Sequence, residues 1–446
     1  MKIIIAGAGD IGFHLAQLLS TENQDIILID TNQDVLDYAQ THLDVITLKG
    51  DSSSVKILEM ADIRKASMLL AVTTSEKTNL VTAILAKKLG AKRTIARVNN
   101  LEYLTEAQRR DFEELGIDHL ISPSQLAAKE IHRLVQQCTF SDIFDFEGGQ
   151  VSLVGIHLQA PSPAINMTLE EIGRQYPQTE FRAIAIIRKR ETIIPRGYTV
   201  LQKGDYLYFL VENQSMEDIG RLTGKTMAPV HNVMIAGGGD VGYRTALLLE
   251  EDFRVTLVEQ DRELCRELVE NLDNTLVVNG DPSNVELLRE EGLERMDAFI
   301  AVTPNSETNI ITSLMASEHG VGKTMALVDK TDYVFISRNI GVDTLINKKL
   351  IAASNIFRYV RQGEIEALTS LHGADAEVIE FVIHKNNRIT KNQLKDLHLP
   401  QKALIGGVIR EGKSHIPDGS FQLRVGDKVI VFALPEAIPR MEKLFR

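Results

Sequence analysis

Residues 2–19 read KIIIAGAGDIGFHLAQLL: an apolar run, the hexapeptide Gly7-Ala8-Gly9-Asp10-Ile11-Gly12, then a stretch with helical apolar spacing. In that strand–turn–helix setting, Gly7 makes the turn and Gly9 lets the backbone approach a pyrophosphate. Gly12 lets helix and strand pack closely, and the helix N-terminus presents free N–H groups to an anion. Asp30 closes the next apolar run. A carboxylate there accepts hydrogen bonds from ribose hydroxyls and repels a 2′-phosphate, which disfavours NADP.

The same stretch returns at residues 232–249 as NVMIAGGGDVGYRTALLL, and the register persists. Gly50-Asp51 matches Gly280-Asp281, Ala71-Val72-Thr73 matches Ala301-Val302-Thr303, and Thr78-Asn79 matches Thr308-Asn309. An internal repeat decides architecture. In the first copy, residues 3–6, 26–29, 45–48, 68–72 and 94–98 read as continuous apolar strands, and 14–19, 35–40, 55–60 and 80–89 as helices between them. Continuous apolar strands alternating with helices predict a parallel, doubly wound sheet.

A second repeat follows each of these units. Ile194-Pro195-Arg196-Gly197, Gly204-Asp205 and the run 208–211 match Ile416-Pro417-Asp418-Gly419, Gly426-Asp427 and the run 429–432. Isolated strands and turn signals there predict a small α+β unit. The expected fold is therefore α/β, with two doubly wound Rossmann-like parallel-sheet domains at residues 1–140 and 230–363, each followed by a small α+β domain at 141–226 and 364–446. The boundaries fall at Phe140, Thr226 and Gly363.

Open parallel sheets bind ligands outside the carboxyl ends of their strands. Gly7, Ala8, Gly9, Asp10, Ile11 and Gly12 follow the first strand, Asp30 ends the second, Asp51 and Ser52 follow the third, Thr73 and Thr74 the fourth, and Arg97 ends the fifth. An arginine guanidinium grips two phosphate oxygens at once, so Arg97 is the phosphate partner. The second copy has Gly237, Gly238, Gly239, Asp240, Val241, Gly242, Glu259 and Asp281, but Leu327 stands where Arg97 stood. Two nucleotide sites of unequal strength are expected. Blander readings stand beside these: Asp51, Asp281, Thr73 and Thr303 as helix caps, Arg97 paired with a surface carboxylate, and the second crevice as an inherited fold with a weak or empty site.

With 446 residues the chain is too long for one core, and 44% hydrophobic and 25% charged residues describe a globular protein. A net charge of -12 argues against a nucleic-acid footprint. No apolar run approaches the roughly 20 residues of a membrane span, and the N-terminus leads straight into a glycine turn, so a cytoplasmic location is expected. Two cysteines, Cys138 and Cys265, form neither a disulfide framework nor a CxxC site and read as buried small residues. The histidines show no HExxH spacing, so no metal is expected. YxxxK, GxxxxGK[ST] and GxSxG motifs are absent too, which lowers the standing of an enzyme, a soluble NAD-dependent oxidoreductase being the alternative.

IIIAGAGDIG with Asp30, GDSSSVKILEMADI, LLAVTTSEKTNL, RTIARV and IIPRGYTVLQKGDYLYFLV are the motifs through which the chain resembles a known family. The second half repeats the set as VMIAGGGDVG, NGDPSNVELLREEGL, FIAVTPNSETNI and IPDGSFQLRVGDKVIVF. They resemble, over essentially the whole chain, the TrkA family of peripheral regulatory subunits of bacterial Trk potassium-uptake systems, built of tandem RCK (KTN) modules. That resemblance implies NAD(H) or adenine nucleotides (ATP, ADP) in the large lobes. It also implies a homo-oligomeric ring on the inner face of the cell membrane, beneath a membrane-embedded potassium-translocating subunit. Carried onto this chain, the nucleotide contacts are Gly7 to Ile11, Asp30, Asp51, Ser52, Thr73, Thr74 and Arg97, with Gly237 to Val241, Glu259 and Asp281 as the second set. A free-standing nucleotide or redox sensor is the remaining alternative.

Overall fold

The computed structural model describes residues 1–20, 24–136, 142–146, 151–177, 181–189, 191–212, 215–224, 230–330, 341–360, 365–370, 376–400 and 402–445. The expected boundaries at Phe140, Thr226 and Gly363, and Cys138, lie outside these residues.

Strands β1 (Lys2–Ala6), β2 (Asp25–Asp30), β3 (Ile46–Lys49), β4 (Met68–Ala71), β5 (Arg93–Arg97) and β6 (His119–Ile121) form one parallel sheet in the order β3-β2-β1-β4-β5-β6. Helices α1 (Asp10–Ser20), α2 (Gln33–His42), α3 (Val55–Met60), α4 (Glu76–Leu89), α5 (Glu106–Glu114) and α6 (Pro123–Gln136) connect the strands and follow the last one. The order reverses between β1 and β4, so the loops leaving these two strands part and open a crevice. Central strands are buried on both faces, as in β1, where Ile3, Ile4, Ile5 and Ala6 are fully buried. Five of the six strands match the apolar runs to within a residue or two; β6, three residues long, was not foreseen.

A small antiparallel sheet follows, formed by β7 (Asp142–Phe146), β8 (Val151–His157), β9 (Phe181–Arg188), β10 (Glu191–Ile193) and β11 (Tyr206–Glu212) in the order β10-β9-β11-β8-β7. The second half repeats both units. Strands β12 (Asn232–Ala236), β13 (Arg254–Glu259), β14 (Thr275–Asn279), β15 (Ala298–Ala301), β16 (Lys323–Leu327) and β17 (Thr344–Ile346) form the second parallel sheet, in the same order as the first, and a second five-stranded antiparallel sheet covers residues 365–433. The Gly-Asp landmarks of the small units are structural: buried Asp205 accepts from Arg188 at 2.8 Å, and buried Asp427 accepts from Arg410 at 2.8 Å.

The two halves exchange helices. Helix α6, of the first lobe, packs on α9 (Asp240–Leu249) of the second, where Ala127, Ile131, Leu134 and Val135 join the core of Val233, Ile235 and Leu257. Reciprocally, α13 (Lys348–Val360) packs on α1, adding Ala353, Ile356 and Phe357 to the core of Ile3, Ile5 and Leu15. Arg93 secures the far end of α13 by donating to the Tyr359 carbonyl at 2.9 Å. The two small sheets also share one core, in which Leu153, Tyr208 and Leu210 meet Val378, Ile409 and Phe432. Among the described residues no helix is long and apolar enough to cross a membrane.

Candidate functional site: a glycine-turn crevice and its repeat

The first crevice is built around the glycine turn. Gly7 takes φ +105°, a conformation that costs a residue with a Cβ, and a Cβ on Gly12 would lie 1.8 Å from the Gly7 carbonyl oxygen. By contrast, a Cβ on Gly9 would meet nothing within 4 Å, so the backbone at the start of α1 is open to an approaching ligand. Asp30 clamps this turn: one carboxylate oxygen accepts from the Ala8 amide at 2.7 Å, the other from the Asn32 amide at 2.9 Å. Ala8 and Gly12 shape the turn, whereas Gly7, Gly9, Asp10 and Ile11 line a crevice of about 750 Å³.

Asp30, Asp51, Ser52, Thr73, Thr74 and Arg97 line the same crevice, so the strand-end residues named from sequence converge on one space. Their local roles differ. Asp51 accepts from the amide and hydroxyl of Ser53, at 2.9 and 2.7 Å, which holds its carboxyl below the usual aspartate range. Ser52 is buried with its hydroxyl 3.0 Å from that of Thr82. The cap positions of the following helices fall on Ser54 and Ser75 rather than on Asp51 or Thr73.

Thr73 is held by a residue that sequence reasoning passed over. Asn79 is fully buried; its carbonyl oxygen accepts from the Thr73 amide at 2.9 Å and hydroxyl at 2.6 Å, and its amide group donates to the carbonyls of Thr73 and Arg97 at 3.0 and 2.9 Å. One side chain thus fixes the ends of β4 and β5 together. Its signal in the sequence was the Thr-Asn landmark at 78–79, used there only to mark register.

Arg97 is half-buried, and partial burial pulls its guanidinium below the ordinary arginine range. Among the described residues it makes no ion pair. It lines the same crevice as the open N-terminus of α1, and a guanidinium beside a helix N-terminus suits an anion.

The second half also contributes to this crevice. Asp329, Lys348 and Lys349 line it, and Lys349 Nζ lies 2.6 Å from Asp10 Oδ2 and 3.7 Å from Asp329 Oδ1. Lys348 and Lys349 arrive because α13 is exchanged onto α1, a placement that no reading of the first half alone could find.

The second copy keeps the turn: Gly237 has φ +110°, a Cβ on Gly242 would lie 1.9 Å from the Gly237 carbonyl oxygen, and the Cβ position of Gly239 is open. Asn309 grips Thr303 and the Leu327 carbonyl as Asn79 grips Thr73 and Arg97. Asp281 accepts from Ser283 as Asp51 does from Ser53, and the caps fall on Asn284 and Asn305 rather than on Asp281 or Thr303. Three differences remain. Glu259 is buried, and its longer side chain accepts from the Gly238 amide at 2.7 Å and the Asp261 amide at 2.8 Å. A Cβ on residue 238 would lie 3.1 Å from Glu259 Cβ and 2.6 Å from Leu268 Cδ1, so Glu259 goes with Gly238 where Asp30 goes with Ala8. Leu327 is buried at the end of β16.

Asp240, counterpart of Asp10, is neutralised from its own helix by Arg244 at 2.8 Å. Arg244 is only 2% exposed and also donates to the Asn99 carbonyl and, at 3.5 and 3.4 Å, to Ser122 and Gln125 of the first half. Val241 is buried at the start of α9. Cys265 is buried as expected, its thiol donating to the Glu259 carbonyl. Among the described residues no cluster of side chains has the composition of a metal site.

Comparison with known proteins agrees with this architecture. The TrkA-N domain family matches residues 3–123 and 233–348, and the TrkA-C domain family matches 153–224 and 378–446. The Trk system potassium uptake protein TrkA of Halomonas elongata is 33% identical, covering 100% of this chain and 99% of that protein. The TrkA homolog of Archaeoglobus fulgidus is 34% identical, with full coverage of both. Among solved structures, the GsuK RCK domain superposes with a TM-score of 0.60 at 15% identity, covering 99% of this chain and 94% of that one. The GsuK channel bound to NAD gives 0.61 at 16%, covering 99% and 78%. These relatives are potassium-uptake proteins and channel domains, not enzymes, and the oxidoreductase alternative is set aside. The tandem large and small lobes, the repeated glycine turns and the full-length similarity together make this chain a member of the TrkA family of Trk potassium-uptake proteins.

Proposed function

We propose that the chain is a peripheral, cytoplasmic regulatory subunit of a potassium uptake system, assembled as a homo-oligomeric ring and gating a membrane-embedded potassium-translocating partner according to the nucleotide it holds. The observation that carries the reading is Arg97: a half-buried cation without an ion pair among the described residues, lining the same crevice as the open glycine turn. The residues present fit NAD(H) or an adenine nucleotide. Amides from Gly7 to Ile11 and the dipole of α1 meet the diphosphate, and Arg97 supplies the cation that grips its oxygens. Each Asp30 oxygen accepts one backbone bond, so the carboxylate retains acceptor capacity for ribose hydroxyls. Asp51, Ser52, Thr73 and Thr74 wall the remaining space. In the second crevice Gly237 to Gly242, Glu259 and Asp281 offer the same turn without the arginine, giving a weaker site.

A bound nucleotide acts here by being held, and it shifts the gate only if the two states of the ring bind it with different affinity. The α1–α13 contact beside the first crevice gives occupancy a route to the relative position of the two halves. Calorimetric titration of NAD, NADH, ATP, ADP and NADP, with Arg97→Ala in parallel, tests the ligand. Binding without turnover, lost in the variant and absent for NADP, is the expected result. Nucleotides that bind but leave ring shape and potassium flux unchanged in membranes carrying the partner would refute the regulatory role.

A further inference from the structure

The first crevice is negative overall, with Asp10, Asp30, Asp51 and Asp329 facing Arg97, Lys348 and Lys349. Asp10 stands in the first turn of α1, where a carboxylate suits the helix dipole but also stands beside the place a phosphate would take. Its repulsion of that phosphate is relieved by one group, the Lys349 ammonium at 2.6 Å, which belongs to the other half of the chain. Lys349 is 25% exposed and sits between two carboxylates, hydrogen-bonded to Asp10 and beyond hydrogen-bonding distance of Asp329 Oδ1, a buried oxygen with no hydrogen bond among the described residues.

We infer that Lys349 is a specificity-determining residue of the first crevice, through which the second half of the chain selects ligands by their phosphate charge. The inference rests on the nucleotide reading of that crevice. An ammonium has three donors, and the bond to Asp10 uses one, so the others remain for a terminal phosphate. The gain grows with each added phosphate charge, and a neutral nucleoside gains nothing. The second crevice is arranged otherwise: Arg244 neutralises Asp240, and its further donors are spent on Asn99, Ser122 and Gln125. Charge selection is therefore a property of the first crevice alone.

The test is calorimetric titration of adenosine, ADP and ATP, in EDTA, into the full chain and into Lys349→Gln, Lys349→Arg, Asp10→Asn and Arg97→Ala. Lys349→Gln should weaken ATP about tenfold and ADP about threefold, the scale of a charge-assisted contact partly screened by solvent, and leave adenosine within twofold. Lys349→Arg should keep the ATP-over-ADP order. Asp10→Asn should strengthen ATP more than ADP. Unchanged thermal unfolding of each variant confirms that the fold is intact. An equal loss for all three ligands, or no loss for ATP, overturns the inference. If Arg97→Ala abolishes ADP binding while Lys349→Gln leaves the series unaltered, the crevice reading survives and the charge selection falls. If the unaltered chain binds none of the three, both fall together.

Discussion

The two glycine turns, with the strand ends beside them, share a backbone and differ in their charges. Each has the left-handed glycine, the glycine pressed against its carbonyl, the carboxylate clamping the turn and the buried asparagine tying two strand ends. What separates them is Arg97 against Leu327, and a cation delivered to Asp10 from across the molecule against one locked to Asp240 within its own helix. The backbone frame of the turn is thus kept in both halves while the side-chain charges beside it differ. The comparison predicts that substitutions in the shared frame act alike in both lobes, and that substitutions at the rim do not.

Gly12→Ala and Gly242→Ala probe the frame most severely, since each added methyl overlaps a backbone oxygen; each should cost about 3 kcal/mol in chemical denaturation. A large inequality between them would break the symmetry argument. Asn79→Ala and Asn309→Ala should each cost about 2 kcal/mol, because the bonds to Thr73 and Arg97, or to Thr303 and Leu327, are lost, and Asn79→Ala should also weaken ligand binding by loosening the Arg97 strand end. At the rim the lobes part. Arg97→Ala should lower nucleotide affinity about tenfold or more, equivalent to at least about 1.4 kcal/mol, while Leu327→Arg should raise the occupancy of the second crevice, as read by binding stoichiometry.

Gly238→Ala should cost about 1 kcal/mol, because Leu268 can give way at its tip while Glu259 cannot move freely; pairing it with Glu259→Asp should recover part of that loss. The smallest effect is on acid stability. Asp51 and Asp281 are held below the usual aspartate range by Ser53 and Ser283. Their contribution is therefore present above the unfolded-state value near pH 4 and lost as pH falls through the lower folded-state value. Both are exposed, so Asp51→Asn and Asp281→Asn should each remove only about 0.3 kcal/mol, and equally, when unfolding is followed between pH 5 and 2.

Much of this was legible because glycine turns and apolar runs are local signals. The hexapeptides at Gly7 and Gly237, the carboxylates at Asp30 and Glu259, and Arg97 with its replacement by Leu327 all follow from position along strands whose ends must face one edge. What stayed hidden depends on contacts between distant segments. An amphipathic helix shows that it has a buried face, not whose core it enters, so the exchange of α6 and α13 was invisible, and with it the placing of Lys349 at Asp10 and of Arg244 at Asn99. Strand β6 was missed because His119-Leu120-Ile121 is too short to set a period. Asn79 was seen but undervalued: a buried amide that satisfies four backbone and hydroxyl groups looks, in sequence, like any polar residue in a first helical turn.

The exchanged helices also fix an order of assembly. Helix α1 covers its sheet early, yet Ala353, Ile356 and Phe357, which complete that core, are synthesised more than three hundred residues later. At roughly 5–20 residues per second the first lobe waits on the order of tens of seconds with an apolar face open to other chains. During that interval the surface competent to accept α13 is equally competent to accept the same helix from a neighbouring nascent chain. The tether between the halves, by raising the effective concentration of the chain's own α13, favours closure within one chain over exchange with a neighbour.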